Sequence, residues 1–338
     1  MKKYFILLIL LLIIPFTVLA DSYLTDSVAG SGSNNLKAYL NINDTISVIN
    51  FESVDDINIT GVDLSRDGDN SVIAKVDYDN DLLTIQFKGK LVLPKDSSYL
   101  FLAFIEPEEI NGLEYFDTSN VTNMYGFFGN CRKLLTVDIS SWDTSNVTDM
   151  GGLFANCNSI NNLDLSNFDT RKVNSMKAMF QGCNVLDNLN ISSFVTSNVT
   201  NMASMFINCN CLECLDLSGF DVSSVENMNS MFSGCSNLIQ VYAENLNTKN
   251  VKFMNHLFNG CCNLEYLDVS KWNTVNLTSM NDIFNGCSNL MKIEMDNWNI
   301  SKVDNLSYFL YSCSKLTEFF ASQSSMLFII SGFTEFII

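Results

Sequence analysis

Three prolines and one histidine are all that 338 residues contain, and 19 Lys and Arg are outnumbered by 37 Asp and Glu. Each shortage excludes something. No proline follows Pro107, so nothing in the rest of the chain interrupts a backbone hydrogen-bond ladder. With His256 alone, a Ser–His or Cys–His nucleophile has one candidate base, and it sits between Met254 and Phe258, where it reads as a surface or groove histidine. Neither a phosphate-cradling glycine loop nor an HExxH pair occurs. The chain is therefore not read as an enzyme, and no cofactor or catalytic metal is expected. Its carboxylate excess repels nucleic acid and anionic membrane surfaces, which leaves cations and basic protein surfaces as long-range partners.

Long apolar runs are confined to the two ends. Lys2 and Lys3 precede an unbroken apolar run over residues 5–14, and Val18 and Ala20 place small residues just before Asp21. This is the pattern of an export signal over residues 1–20, cleaved after Ala20. A permanent anchor is the alternative, but about 16 apolar residues fall short of the ~20 needed to span a bilayer. The mature chain is then secreted or held at the cell surface, with no membrane insertion expected. Without Lys2 and Lys3, 17 basic residues face 37 acidic ones, a net charge of −20. At the other end, residues 326–338 read MLFIISGFTEFII, and Glu335 interrupts them. Residues 322–338 are an apolar tail too short to cross a membrane: a terminal strand, a degenerate last repeat or the mark of a truncated frame.

What is abundant is periodicity. Cys131, Cys157, Cys183, Cys209, Cys235, Cys261, Cys287 and Cys313 stand 26 residues apart. Methionines keep the same step from Met124 to Met280, and phenylalanines from Phe128 to Phe284. A leucine-type column runs from Leu134 to Leu316, and a mostly aromatic one from Phe116 to Trp298. Within one copy, Val147, Met150, Leu153, Phe154 and Cys157 recur at the spacing of one helical face, with Ser145 and Asn146 as caps. Leu163 and Leu165 then alternate with Asp164 and Ser166, as in a short strand with one buried face. Neither element can bury its apolar face alone, so the copies must stack. The expected fold class is an α/β repeat solenoid over residues 116–321. It is elongated and right-handed, a leucine-rich-repeat array of about eight 26-residue copies, each with one short parallel strand and one short helix.

Residues 21–115 make the other unit. Residues 71–76, a turn over 77–81 and residues 82–87 read as a β-hairpin, with a further strand over 90–93. This acidic, β-rich region with a capping half-repeat is expected to cover the first open end of the array. Residues 21–36, rich in Ser, Gly and Asn, read as a mobile tail.

The copies FDTSNVTNMYGFFGNCRKLLTVDIS and WDTSNVTDMGGLFANCNSINNLDLS resemble the repeat of the BspA-like leucine-rich-repeat surface proteins. The resemblance covers residues 116 to 321, and the stretch LPKDSSYLFLAF before it is similar to the half-repeat that opens such arrays. It implies an exported protein of a host-associated microbe, active in adhesion to host or neighbouring-cell proteins. Unlike longer relatives, this chain shows no sorting motif or anchor domain after the repeats.

Two groups of residues invite chemistry. The cysteine column closes the apolar face of each copy and is read as buried free thiols, with a disulfide ladder as the alternative. Cys211, Cys214 and Cys262 lie off the column; Cys209, Cys211 and Cys214 mimic a metal cluster, yet alternate strand residues face opposite ways, and a Cys211–Cys214 bridge is the better alternative. Between the paired strand leucines run Asp138, Asp164, Asn190, Asp216, Tyr242, Asp268 and Glu294. These should project from a concave sheet about 4.8 Å from copy to copy, where like charges repel. Solvent with Ser140, Ser166, Ser192 and Ser218, a basic protein ligand, or calcium would relieve the repulsion. The expected function is protein binding through this strip, with a basic or extracellular-matrix-type surface as partner. A structural coat or self-associating protein without a ligand groove is the alternative.

Overall fold

The computed structural model describes residues 22–29, 35–43 and 45–321; the export signal and the apolar tail over 322–338 lie outside them. Strand β1 (Ser22–Tyr23) and helix α1 (Leu36–Tyr39) come first, then β2 (Val48–Ser53), β3 (Val62–Asp63), β4 (Val72–Asp77) and β5 (Leu82–Phe87). Strands β6 (Leu91–Val92), β7 (Glu109–Asn111) and β8 (Phe116–Asp117) lead into the repeats.

The N-terminal unit is a mixed five-stranded sheet in the order β3-β4-β5-β2-β7. Strands β4 and β5 form the hairpin that their alternation calls for, antiparallel from Val72 opposite Phe87 to Asp77 opposite Leu82. Asp77 shapes its turn by accepting the N–H groups of Asp79 and Asn80, and Asp81 takes a φ of +52°. Strand β2 is parallel to both β5 and β7. Phe51 on β2 meets Phe101 and Phe116 edge-on, at 5.8 and 4.8 Å, and so ties the sheet to the first copies. The N–H of Leu135 donates to the Glu108 carbonyl at 3.0 Å, which hands the β7 ladder to the repeats.

Residues 22–29 are not a tail. Strand β1 pairs in parallel with β6, and Ser22, Val28 and Ala29 are buried. The Ser22 hydroxyl donates to the Ser71 carbonyl at 2.9 Å, so a polar segment gains partners that its composition does not announce.

Beyond Phe116 the first copy leaves residues 136–138 without a strand. From residue 162 on, each copy adds one short strand: β9 (Asn162–Asp164), β10 (Asn188–Asn190), β11 (Cys214–Asp216), β12 (Gln240–Tyr242), β13 (Tyr266–Asp268), β14 (Lys292–Met295) and β15 (Glu318–Ala321). They pair in parallel with a 26-residue step, in small sheets β9–β10, β11–β12 and β13–β14–β15. A second parallel ladder of single bridges climbs without interruption from Asp96 through Asn123, Asp149 and Ser175 to Ser279.

The expected helix in each copy is absent; among the described residues the only α-helix is α1. Residues 150–157 form a run of turns. The N–H groups of Leu153, Ala155 and Cys157 donate three residues back, to Met150, Gly152 and Phe154. Those of Met150, Gly152, Phe154 and Asn156 donate instead to the next copy, at Ser175, Lys177, Met179 and Gln181. Alternate residues thus spend their N–H between copies, and a left-handed residue recurs every fourth position, as at Gly152 and Asn156 (both φ +60°). A helix needs right-handed φ at every residue. Turns of this length also return apolar side chains to one side every three or four residues, so the spacing imitates a helix. Ser145 and Asn146 cap nothing helical: the Ser145 N–H goes to Asp143, and Asn146 donates its amide to the Ser119 carbonyl of the preceding copy.

Stacking the copies puts like on like. Seven rings from Phe128 to Phe284 lie 5.1–6.3 Å apart and within 12° of parallel. Every ladder thiol donates to a phenylalanine carbonyl in an earlier copy, Cys157 to Phe128 at 3.2 Å and Cys209 to Phe180 at 3.0 Å. All the cysteines are free, and burial pushes the Cys131, Cys183 and Cys235 thiols up to about 12. This sulfur–carbonyl ladder orients the thiols from copy to copy. Buried Thr118 and Thr144 use one hydroxyl twice, donating to a carbonyl of the next copy and accepting the N–H of the same residue.

Candidate functional site

The outward face of the short strands carries the predicted column. Parallel pairing sets Asp164 opposite Asn190, Asp216 opposite Tyr242 and Asp268 opposite Glu294. Asp138, Asp164, Asn190, Asp216 and Tyr242 are exposed, and Asp268 and Glu294 half-buried, while Leu163, Leu215 and Leu267 between them face the core. Period-two alternation brings the seven to one face.

Five of them have a local occupation. Asp138, Asp164, Asn190, Asp216 and Asp268 each accept the N–H of the serine two residues on, at 3.2, 3.0, 3.2, 2.8 and 2.9 Å. Short polar side chains bonded to their own backbone in this way fix a turn where the chain leaves the strand. Bonds from Ser140, Ser166 and Ser218, hydroxyl first and backbone second, hold Asp138, Asp164 and Asp216 below the usual carboxylate range. Asn190 also donates its amide to Asp164 at 2.9 Å, which offsets charge between neighbouring copies. Tyr242 and Glu294 differ. The Tyr242 hydroxyl donates to Gln240 at 3.1 Å, and Glu294 accepts from Lys292 at 2.6 Å and from the Tyr266 hydroxyl at 3.3 Å.

A second acidic column escaped the sequence reading. Asp117, Asp143 and Asp221 accept the N–H of Ser119, Ser145 and Ser223 as the strand column does. In the same column Arg171 holds the Asp169 carboxyl down to about 2. The recurrent Asp-Thr-Ser of FDTSN and WDTSN was the available signal.

His256 lies on another surface, among the turns, at a φ of +56°. Its Nδ1 stands 3.7 Å from an Asp282 carboxylate oxygen and its Nε2 3.5 Å from the Asn281 amide, so both ring nitrogens meet the next copy. The register alone, 256 to 282, would have found this pair. Cys211 is half-buried, and Cys214 and Cys262 are exposed. Among the described residues no three His, Cys, Asp or Glu side chains converge to hold a metal ion.

Shallow grooves of about 410–470 Å³ separate adjacent copies along the strand face. One lies by Asp138 and Asp164, one by Asn190 and Asp216, and one between Tyr242 and Tyr266.

Residues 97–214 and 209–323 match the family described as Mycoplasma protein of unknown function, DUF285. No curated protein matches the chain. Among solved structures, a leucine rich cell surface protein from Faecalibacterium prausnitzii A2-165 aligns at 15% identity over 72% of this chain and 82% of that one. Its TM-score is 0.27, too low to carry an argument about shape or role. No helix among the described residues is long and apolar enough to cross a membrane.

Proposed function

The chain belongs to the DUF285 family of Mycoplasma-type proteins of unknown function, and from that premise we propose that it is an exported protein-binding module of the BspA-like leucine-rich-repeat kind. It acts at the cell surface or after secretion, in adhesion or in recognition of a host or neighbouring cell. One observation carries this reading: the core columns repeat from copy to copy while the outward strand position changes, through Asn162, Asn188, Cys214, Gln240, Tyr266 and Lys292. A constant scaffold under a varying face is how repeat arrays present a recognition surface. Binding, not catalysis, is the proposed activity, because His256 engages only Asp282 and Asn281 on a surface away from the strand grooves.

The candidate ligand strip is Asp138, Asp164, Asn190, Asp216, Tyr242, Asp268 and Glu294, and the partner a basic, extracellular-matrix-type protein surface. The test uses residues 21–338 and an immobilised panel of matrix proteins. For the partner retained, Asp138, Asp164, Asp216 and Asp268 are changed together to Asn, which keeps shape and the capping oxygen while removing charge. Association should slow and lose its steep salt dependence, because exposed charges steer encounter within a Debye length of about 8 Å. An on-rate unchanged by the four substitutions discards the strip. Exposed Tyr308, Tyr311 and Phe320 in the last described copy favour a second reading, self-association through that end. A dilution-dependent oligomer in sedimentation, with no matrix protein retained, would replace the first reading by the second.

A further inference from the structure

The capping rule of the strand face is broken at Tyr242. Before it the column is Asp138, Asp164, Asn190 and Asp216, and each residue holds a serine N–H. At the next copy the motif is abandoned: Tyr242 stands where an Asp or Asn caps, and Glu244 where the capped serine stands. A local rule kept in four successive copies, broken at the fifth and resumed where Asp268 holds the Ser270 N–H, marks a place where the side chain serves something other than the fold.

What replaces it has a definite chemistry. Tyr242 is 42% exposed and Tyr266, on the adjacent strand, 41% exposed. They flank a groove of about 410 Å³ whose floor and rim include Gln240, Glu244, Asp268 and Lys271. The Lys271 ammonium is engaged with Asn245 at 2.9 Å. Among the described residues, Glu244 and Asp268 form no ion pair with a Lys or Arg.

One copy further on, the protein fills an equivalent setting with its own cation. Lys292 places its ammonium 5.5 Å from the Tyr266 ring centre and 5.3 Å from that of Phe320, and pairs with Glu294 at 2.6 Å. An ammonium or guanidinium over an aromatic face, with a carboxylate alongside, is a favourable arrangement on a partly dry surface. The groove between Tyr242 and Tyr266 offers the same kinds of group, two aromatic rings with the carboxylates of Glu244 and Asp268 alongside, on a chain of net charge −18.

We infer that this groove receives an arginine side chain from a basic segment of a partner protein, the guanidinium lying against Tyr242 and Tyr266 and facing Glu244 and Asp268. Arginine fits better than lysine, since its planar, weakly hydrated head both stacks on rings and forks to carboxylates. The inference rests on the protein-binding reading of the strand face but assigns contact to the groove at Tyr242, where the capping pair is missing and Asp268 on the far side still holds the Ser270 N–H.

The test is direct binding of the full chain to a blocked peptide, acetyl-Gly-Arg-Gly-Arg-Gly-amide, by titration calorimetry and NMR. Its citrulline counterpart, nearly isosteric and uncharged, is the comparison. The key variant is Tyr242→Asp with Glu244→Ser, which restores the capping pair of the preceding copies. It leaves net charge unchanged and is compatible with the fold. The arginine peptide should bind, and both the citrulline peptide and the double variant should weaken binding by about tenfold or more, at an unchanged melting temperature. Asp79→Asn, in the exposed turn between β4 and β5, should leave peptide affinity within about twofold, since it lies outside the strand face of the repeats. Equal affinity of the arginine and citrulline peptides, or full binding by the double variant, overturns the inference. So does a neutral oligosaccharide that occupies the groove where the arginine peptide does not. Because the peptide is read without the matrix partner, a strip that fails its own association test would leave this groove standing.

Discussion

Gly152 and Ala178 occupy the same place in successive copies, with φ of +60° and +57°, and exchanging their residue types separates a ladder of turns from a ladder of helices. Were these segments helical, Gly152→Ala would stabilise the protein by about 1 kcal/mol, and Ala178→Gly would cost about as much. In the left-handed region the signs reverse. An L-residue there costs roughly 1–2 kcal/mol over glycine, while losing glycine's freedom in the unfolded chain returns about 0.4–1. Sterics add nothing at Gly152, where an added Cβ would meet no atom closer than 3.7 Å. The net expectation is a loss of about 0.5–1 kcal/mol for Gly152→Ala and a similar gain for Ala178→Gly. Urea unfolding read by far-ultraviolet circular dichroism measures both as midpoint shifts at unchanged slope. A higher midpoint for Gly152→Ala would refute the turn assignment, because only a right-handed backbone rewards alanine there.

Two further outcomes follow from the titrating groups. The ladder thiols, shielded and pushed up to about 12 where Cys131, Cys183 and Cys235 lie, should stay silent to a thiol reagent in the native protein while Cys214 and Cys262 react; unfolding without reductant should release all eleven, and a shortfall of half would reveal disulfides. Raised thiols bind protons in the fold that the unfolded chain has lost, so stability is full below pH 9 and falls as pH climbs towards 12, measurable as a declining urea midpoint. At the acid end, Asp138, Asp143, Asp164, Asp216 and Asp221 are all lowered by their capping bonds, and Asp169 reaches about 2 beside Arg171. The unfolded chain therefore binds more protons, and stability present above pH 4 should fall as pH drops towards 2; a flat acid limb would show that the caps contribute nothing.

The 26-residue register was legible in the sequence because stacking like on like demands it. Each copy must offer the same side chain to its neighbour, so Phe154 needs Phe128 and Phe180, and Cys157 needs a carbonyl in the copy before. Alternation in β5 and around Leu163 and Leu165 likewise announced which side chains turn inward, since period two admits no other reading over so short a stretch. The outward column of seven was placed on one face for the same reason. What the sequence could not decide was where the backbone N–H groups go. Apolar spacing of three and four residues fits a helix and a run of turns equally, and only the neighbouring copy, accepting alternate N–H groups, selects the left-handed residues at Gly152 and Asn156. The partnership of Asp164 with the Ser166 N–H, the pairing of β1 with β6 and the cation lodged between Tyr266 and Phe320 are likewise products of folding. Side-chain period records which face a residue occupies, whereas hydrogen-bond partners are set by chain segments that the period does not mention.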